Sequence, residues 1–313
     1  MAQGEPGDDL QALIAAIVQQ VLEDPSFSQV TTPAPHASEP PIRPRALEQM
    51  ITEIAQELWS QAPLPPGRPL PGLDRLADRA ALPKLAKATP SRIGIGRAGL
   101  RYPTKTYLAL RADHGTAKEA VASTPSPGFV QQLGALELHT QADDLETFLL
   151  QPNQGRTLDA ASVGRLRTEG SRGVDVQIIL ADGLSAWAAE RNPGLLAALQ
   201  RELTRVGLSH GRPIYVNRAR IAVADQIGVE LGAKATVIGL GERPGLGTGD
   251  SLSLYLAYNP KIGQDNAEKN CISNVRPQGL SVDEAARQAA EILKKAREIG
   301  QGGLAVAAPQ RTW

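Results

Sequence analysis

The sequence predicts an α/β protein with a mostly parallel sheet and helices on both faces, preceded by a flexible helical N-terminal tail. After Arg172, short apolar runs typical of buried strands alternate with helical segments. The clearest run, 235–240, leads into the glycine-rich loop GERPGLG at 241–247. Residues 1–72 instead combine two short amphipathic stretches with Pro-rich linkers, which is typical of a tail.

The order of apolar runs and breaker residues predicts the individual elements. Strands are predicted at 133–140, 146–150, 174–180, 213–216, 235–240 and 251–258. Helices are predicted at 73–88, 104–122, 153–167, 186–190, 193–206, 225–231 and 281–299. A loop is expected to begin at 270–274 and to end at Gly279. Ser281 and Glu284 have the spacing of a capping box at the start of the last helix.

The chain is expected to divide at its changes in composition. Two amphipathic helices at 1–24 and 47–61 are separated by linkers at 25–46 and 62–72, and are followed by a helical subdomain at 73–170 and an α/β domain at 171–313. The helices share a register, since LQALIAAIVQ at 10–19 aligns with LEQMITEIAQ at 47–56. So short a helix needs a partner for its apolar stripe, and two tethered copies favour bivalent docking. Alternatively, the helices pack on the main domain or on each other.

Composition excludes several classes of protein. Lys and Arg total 33, and so do Asp and Glu, so no overall positive field favours nucleic acid. Charge is uneven, because 1–62 hold nine acidic and two basic residues and 63–125 hold eleven basic and four acidic. A single cysteine excludes an internal disulfide and fits a reducing compartment. No signal peptide and no run of about 20 apolar residues is expected, and the tail helices lack the basic residues of an anionic-membrane binder.

Few residues suggest independent catalysis. Four histidines and one cysteine have no metal-ligand spacing, so no metal site is expected. GIGRAG at 94–99 has the glycine spacing of a dinucleotide site, but no strand precedes it and Pro103 interrupts the following segment. Arg97 and Arg101 favour an anionic group on a partner instead. Asp113 with His114 is either an acid/base pair or a helix-surface feature.

The predicted strand ends carry a more coherent set of polar residues. Asp182, Asp225 and Glu242 fall near strand ends or helix starts, where open α/β sheets bind ligands. The loop after residue 240 could equally be a tight connection with a solvated ion pair between Glu242 and Arg243. These residues alone predict a ligand-binding α/β domain with an acidic helical tail.

Six motifs in this order resemble one family. They are GRAG at 96–99, RADH at 111–114, DVQIILADGLS at 175–185, DQIG at 225–228, GERPGLG at 241–247 and NCISNVRPQG at 270–279. Together they resemble the small (light) subunit of adenosylcobalamin-dependent ethanolamine ammonia-lyase over residues 92–303. The pattern departs from the family at Leu100–Pro103, where Pro-Arg-Pro is expected, and at Ile221, where valine is common.

The resemblance implies a Rossmann-like subunit that is inactive alone. A barrel-shaped large subunit would hold ethanolamine, and adenosylcobalamin would lie between the two subunits. The radical reaction would yield acetaldehyde and ammonia. By motif, the corrin contacts would be Ile221, Glu242 and Cys271, with no catalytic residue on this chain. The alternatives are an ion pair with Arg243 for Glu242 and a small core residue for Cys271.

The resemblance also implies the state of the cofactor. Cobalamin proteins in which a histidine replaces the nucleotide base resemble one another in an Asp-x-His-x-x-Gly motif, which this sequence lacks. We therefore expect base-on binding, and an imidazole-ligand signature in the spectrum of the bound cofactor would contradict this expectation.

The resemblance further implies an assembly of six large and six small subunits in the bacterial cytoplasm, inside a microcompartment. Residues 10–22 and 47–58 would then bind shell or cargo proteins. Two other functions stay open at this point. One is a non-catalytic ligand-binding or scaffold module of a microcompartment, and the other is a nicotinamide oxidoreductase based on 94–99.

Overall fold

The structure, a computed structural model, describes residue 78 and residues 81–89 and 91–307. The predicted tail helices at 1–24 and 47–61 and the linkers at 25–46 and 62–72 lie outside the described residues. The chain divides into two compact units, and all residues from Ile93 onward belong to the second. Every strand of the described part lies in that second unit.

Six strands form one mixed sheet in the described region. They are β1 (Leu136–His139), β2 (Val176–Ala181), β3 (Ile214–Asn217), β4 (Ala235–Gly241), β5 (Leu252–Tyr258) and β6 (Asn270–Val275). Their order across the sheet is β1-β3-β2-β4-β5-β6. The first four are mutually parallel, whereas β5 pairs antiparallel with β4, and β6 with β5. The sheet is therefore mostly parallel, with an antiparallel edge.

The described residues also form helices, and those that pack in the two hydrophobic clusters cover both faces of this sheet. The helices are α1 (Ala81–Ala88), α2 (Thr104–Ala122), α3 (Phe129–Gln132), α4 (Leu145–Leu150), α5 (Ala160–Glu169), α6 (Ala186–Glu190), α7 (Leu195–Arg205), α8 (Val223–Leu231), α9 (Val282–Ile299) and α10 (Leu304–Ala307), with short 3-10 turns at Gln154–Arg156 and Asn266–Glu268. Ile178 packs in the hydrophobic cluster that contains α7 and α9. Its neighbour Ile179 packs in the cluster that contains α5 and α8. Successive side chains of β2 thus face opposite helical layers, as expected for a strand that is buried along its whole length.

The predicted fold class is confirmed, because strands and helices alternate in one sheet with helices on both faces. The last helix begins as expected, since the Ser281 hydroxyl accepts a hydrogen bond from the Glu284 backbone N–H at 3.3 Å. The reciprocal half of the capping box does not form, because the Glu284 carboxylate accepts hydrogen bonds from Arg287 and Gln288 instead.

Two predicted elements are wrong. Residues 146–150, predicted as a strand, belong to α4, whose N-terminus is capped by the Asp144 carboxylate accepting from the Thr147 N–H at 2.7 Å. Residues 270–274, predicted to begin a loop, belong to edge strand β6, which buries Ile272 and Val275 and leaves most of its polar residues at the surface. Residues 136–139 of the predicted helical subdomain also form β1, which pairs with β3 in the common sheet.

Candidate functional site

An open cavity of about 690 Å³ lies at the carboxyl edge of the parallel strands. The segments that follow β2, β3 and β4 contribute to its lining, together with β5 and the turn around residue 264. Six of the lining residues are Gly183, Ile221, Gln226, Glu242, Tyr255 and Asn266. This is the edge at which open α/β sheets bind their ligands.

Two glycines bring the connections after β2 and β4 into direct backbone contact. The Leu184 N–H donates to the Gly241 carbonyl at 2.9 Å. A Cβ on Gly241 would meet the carbonyl oxygens of Asp182 and Ser185, and a Cβ on Gly183 would meet the Gly241 carbonyl. Only glycine fits these positions, so the two connections can approach closely enough to line one cavity.

Asp182 fixes the connection that follows β3. Its buried carboxylate accepts a hydrogen bond from the Arg218 backbone N–H at 2.7 Å, where Arg218 has a left-handed φ of 53°. Burial raises the pKa of Asp182 to about 6, although hydrogen bonds from the backbone N–H groups of Arg218, Gly183 and Ala219 lower it. Asp182 therefore supports the loop that carries Ile221 and does not itself line the cavity.

The loop that carries Ile221 is held by Arg220 as well. The Arg220 backbone N–H donates to the Gly155 carbonyl at 2.7 Å, and its guanidinium lies 4.2 Å from the centre of the Phe148 ring. The Ile221 carbonyl accepts from the Ala224 N–H at 3.2 Å, which leaves its second lone pair for another donor. The loop is thus fixed from both sides of Ile221.

Tyr255 of β5 has Glu242, which follows β4, as one neighbour and Cys271 of β6 as another. The Tyr255 hydroxyl donates to Glu242 Oε1 at 2.6 Å, and Tyr255 lies opposite Cys271 in the β5–β6 register. The recorded side-chain partner of Glu242 is therefore Tyr255, and not Arg243. Desolvation raises the pKa of the Cys271 thiol, the Glu242 charge adds to that rise, and a hydrogen bond with Tyr255 opposes it. The thiol is neutral at physiological pH, and Cys271 is exposed.

A buried ion pair secures the outer wall of the cavity. Lys269 Nζ lies 2.7 Å from Asp225 Oδ2, with side chains 3% and 1% exposed, respectively. Lys269 Nζ also donates to Asn266 Oδ1 at 3.3 Å. Asp225 belongs to α8, whereas Lys269 precedes β6, so the pair joins the wall segment to the helix that follows Ile221. The Asp225 predicted as part of a binding edge therefore lies behind the cavity wall.

The other sequence candidates lie elsewhere. GIGRAG at 94–99 follows helix α1 in the described chain, so it lacks the strand of a dinucleotide site, and Arg97 stacks on Tyr102 at 5.7 Å. His114 is exposed on α2, and neither it nor Asp113 lines the cavity. Within the described ranges no cluster of three or more His, Cys, Asp or Glu side chains could hold a metal ion. No described helix is long and apolar enough to cross a membrane.

The chain is similar in sequence to the proteins of one known family. The family model described as ethanolamine ammonia-lyase light chain (EutC) matches residues 79–307. The chain belongs to this family. The match contains all six strands and the whole cavity lining, so the described site is a feature of the EutC part of the chain.

Curated relatives cover most of the EutC chain. The ethanolamine ammonia-lyase small subunit of Ralstonia nicotianae is 42% identical over 231 residues, which are 70% of this chain and 86% of the relative. That of Fusobacterium nucleatum is 31% identical over 94% of this chain and 97% of the relative. That of Clostridioides difficile is 32% identical over 91% and 94%, respectively. The resemblance inferred from six motifs is thus confirmed.

Tyr255 is the site residue that sequence reasoning missed in this EutC chain. The sequence predicts it only as part of the strand at 251–258, and a strand pattern does not reveal which loop residue a side chain reaches. Its position three residues before the end of β5 and the hairpin register with β4 place its hydroxyl at Glu242. An aromatic residue with a polar tip, within a buried strand next to a glycine-rich loop, is the signal that could have identified it.

Proposed function

We propose that the chain is the small subunit of an adenosylcobalamin-dependent ethanolamine ammonia-lyase, and that its cavity binds part of the corrin against a barrel-shaped large subunit. The observation that carries this proposal is the common location of Ile221 and Glu242 in one cavity at the sheet edge, with Cys271 beside them. The relatives are named as small subunits, which supports a large-subunit partner.

The cavity lining fits the periphery of a corrin, which bears amide side chains that both donate and accept hydrogen bonds. Gln264 Oε1 and Arg220 Nε are buried and have no hydrogen-bond partner within the described residues, and both residues line the cavity. An amide group would satisfy either atom. Leu184, Leu240 and Ile262 supply apolar wall for the macrocycle. Since the cavity is open, the rest of so large a ligand would contact the partner.

Each of the three proposed contact residues would then have its own role in binding the corrin. The Glu242 carboxylate would accept a peripheral amide N–H, and the Ile221 carbonyl would accept another through its free lone pair. The protonated Cys271 thiol would contact the corrin as a neutral group. When bound, adenosylcobalamin supplies the radical chemistry. This chain would orient the corrin and exclude water from one side of it.

The reaction requires both subunits under this proposal. We expect adenosylcobalamin-dependent release of acetaldehyde from ethanolamine when this chain and the cognate large subunit are mixed, and none from either alone. Glu242→Gln should raise the concentration of cofactor needed for half-maximal rate about tenfold, because a charged acceptor is lost. Glu298→Gln, an exposed change on α9, is the matched control and should leave that concentration unchanged.

Two results would contradict this proposal. Activity of the chain without the large subunit would show that the reaction needs no partner. Absence of activity in the mixture, with both subunits shown to be folded, would favour the alternative of a non-catalytic ligand-binding or scaffold module of a microcompartment.

We also propose that residues 10–22 and 47–58 bind shell or cargo proteins of a bacterial microcompartment, where six large and six small subunits would assemble. The family match begins at residue 79, after both repeats, which supports a function separate from the enzyme core. Deleting 1–62 should leave lyase activity unchanged within twofold and abolish co-sedimentation with shells. Deleting 1–24 alone should weaken co-sedimentation, because one tethered copy remains. Full encapsulation of the 1–62 deletion would contradict the proposal.

A further inference from the structure

Tyr255 connects two residues of the proposed corrin site and lines the cavity itself. It lies on β5 between Ile238 of β4 and Cys271 of β6. Its hydroxyl donates to Glu242 Oε1 at 2.6 Å. This length is typical of a hydrogen bond to an ionised carboxylate, which is about twice as strong as a bond between neutral groups.

Glu242 needs such a support because its backbone is hydrogen-bonded but its side chain can still rotate. The backbone N–H of Glu242 donates to the Ser251 carbonyl at 3.0 Å, after which the chain turns through Gly245 and Gly247. A glutamate side chain has three rotatable bonds, and fixing them on binding costs affinity. The bond from Tyr255 fixes the plane of the carboxylate and leaves Oε2 for a ligand.

Tyr255 is itself held firmly. Its ring packs against the hydrophobic cluster between the sheet and α8, and its backbone lies in the middle of a strand that is paired on both sides. The hydroxyl therefore approaches Glu242 from a rigid element, which is the arrangement that orients a binding group most accurately.

We propose that Tyr255 is a positioning residue for cofactor binding, whose hydroxyl holds the Glu242 carboxylate in the orientation that accepts a peripheral amide of the corrin. This inference rests on the proposed function and adds a residue and a role to it. Burial and the Glu242 carboxylate raise the pKa of Tyr255 well above its usual range, so the hydroxyl stays a donor at every pH at which the protein is handled.

The test measures binding of cyanocobalamin to the assembled complex of this chain and its large subunit, by equilibrium dialysis. Tyr255→Phe removes only the hydroxyl and should raise the Kd about tenfold. Glu242→Gln should have a similar effect. The double variant should bind no more than about twofold more weakly than Glu242→Gln alone, because the tyrosine acts through the carboxylate. Tyr258→Phe, on the opposite face of the same strand, is the matched control and should change the Kd by less than twofold.

A second variant keeps the ring intact. Glu242→Asp shortens the side chain so that the carboxylate no longer reaches the Tyr255 hydroxyl. It should weaken cyanocobalamin binding as Tyr255→Phe does, and adding Tyr255→Phe to it should have no further effect.

Three results would overturn the inference. One is an unchanged Kd in Tyr255→Phe beside a weakened Glu242→Gln. Another is a double variant whose effect equals the product of the two single effects, which would show that Tyr255 acts independently of Glu242. Both of these leave the proposed function standing. If the wild-type complex binds no cyanocobalamin, the proposed function fails and the inference fails with it.

Discussion

Replacing Lys269 with methionine is expected to lower the free energy of unfolding by about 3 kcal/mol, because it leaves the Asp225 carboxylate buried without its counter-charge. The two side chains are almost fully buried, and their charged atoms lie 2.7 Å apart. Asp225 Oδ1 has no hydrogen-bond partner within the described residues, so no second donor among them would compensate for the loss of Lys269. Urea unfolding of the full chain, followed by circular dichroism, measures the change.

Lys234→Met is the matched control for this prediction. Lys234 pairs with Asp175 at 2.9 Å, but its side chain is 59% exposed, so its loss should cost less than about 1 kcal/mol. The double change Asp225→Asn with Lys269→Met removes both charges and should recover much of the stability that Lys269→Met loses. A cost for Lys269→Met no greater than that of Lys234→Met would contradict the prediction.

The loss of unfolding free energy caused by Lys269→Met should also depend on pH. Burial raises the pKa of Asp225 above its usual value, and Lys269 opposes this rise. Without the lysine, the folded pKa rises further above that of the unfolded chain. A carboxyl with a raised folded pKa contributes most stability when protonated and loses it as pH rises through that pKa. The difference in unfolding free energy between the Lys269→Met variant and the wild type should therefore become smaller as the pH is lowered from 7.5 to 4.5.

Gly241→Ala is expected to destabilise the protein by about 3 kcal/mol, since the new methyl group would overlap the carbonyl oxygens of Asp182 and Ser185. These are backbone atoms in the connection that follows β2, and they cannot move aside as a flexible side chain would. The contact between the connections after β2 and β4 also forms part of the cavity lining. The backbone shift that accommodates the methyl group should therefore weaken cyanocobalamin binding by the complex as well. Urea unfolding and equilibrium dialysis measure the two effects.

Gly245→Ala tests whether the loss of stability in Gly241→Ala comes specifically from the backbone contact with the connection after β2. Gly245 lies in the same glycine-rich loop, but a Cβ there would come no closer than 4.0 Å to Thr248, so this change should alter stability by less than about 0.5 kcal/mol. Equal effects of the two alanine substitutions would show that the loop, and not the contact with β2, determines the cost.

Local elements could be predicted from the sequence wherever one local signal was dominant. The run at 235–240 is too apolar to be anything but buried, and it became β4. Helix α2 spans the predicted 104–122, with Pro103 immediately before it. The sequence was insufficient at 146–150, where a single capping carboxylate at Asp144 made an apolar run helical. It was also insufficient at 270–274, where pairing with β5 made a polar segment a strand.

The assembly of the site depends on long-range contacts that local sequence patterns do not specify. Motif resemblance pointed to Ile221, Glu242 and Cys271 separately, but their common location depends on the strand order and on the antiparallel pairing of β5 with β4 and β6. The hydrogen bond from Tyr255 to Glu242 depends on the hairpin register. The ion pair between Asp225 and Lys269 joins positions that are 44 residues apart in the sequence. The physical reason is that periodicity and capping act over one or two turns of chain, whereas strand pairing and burial of charge are settled by residues that are distant in sequence.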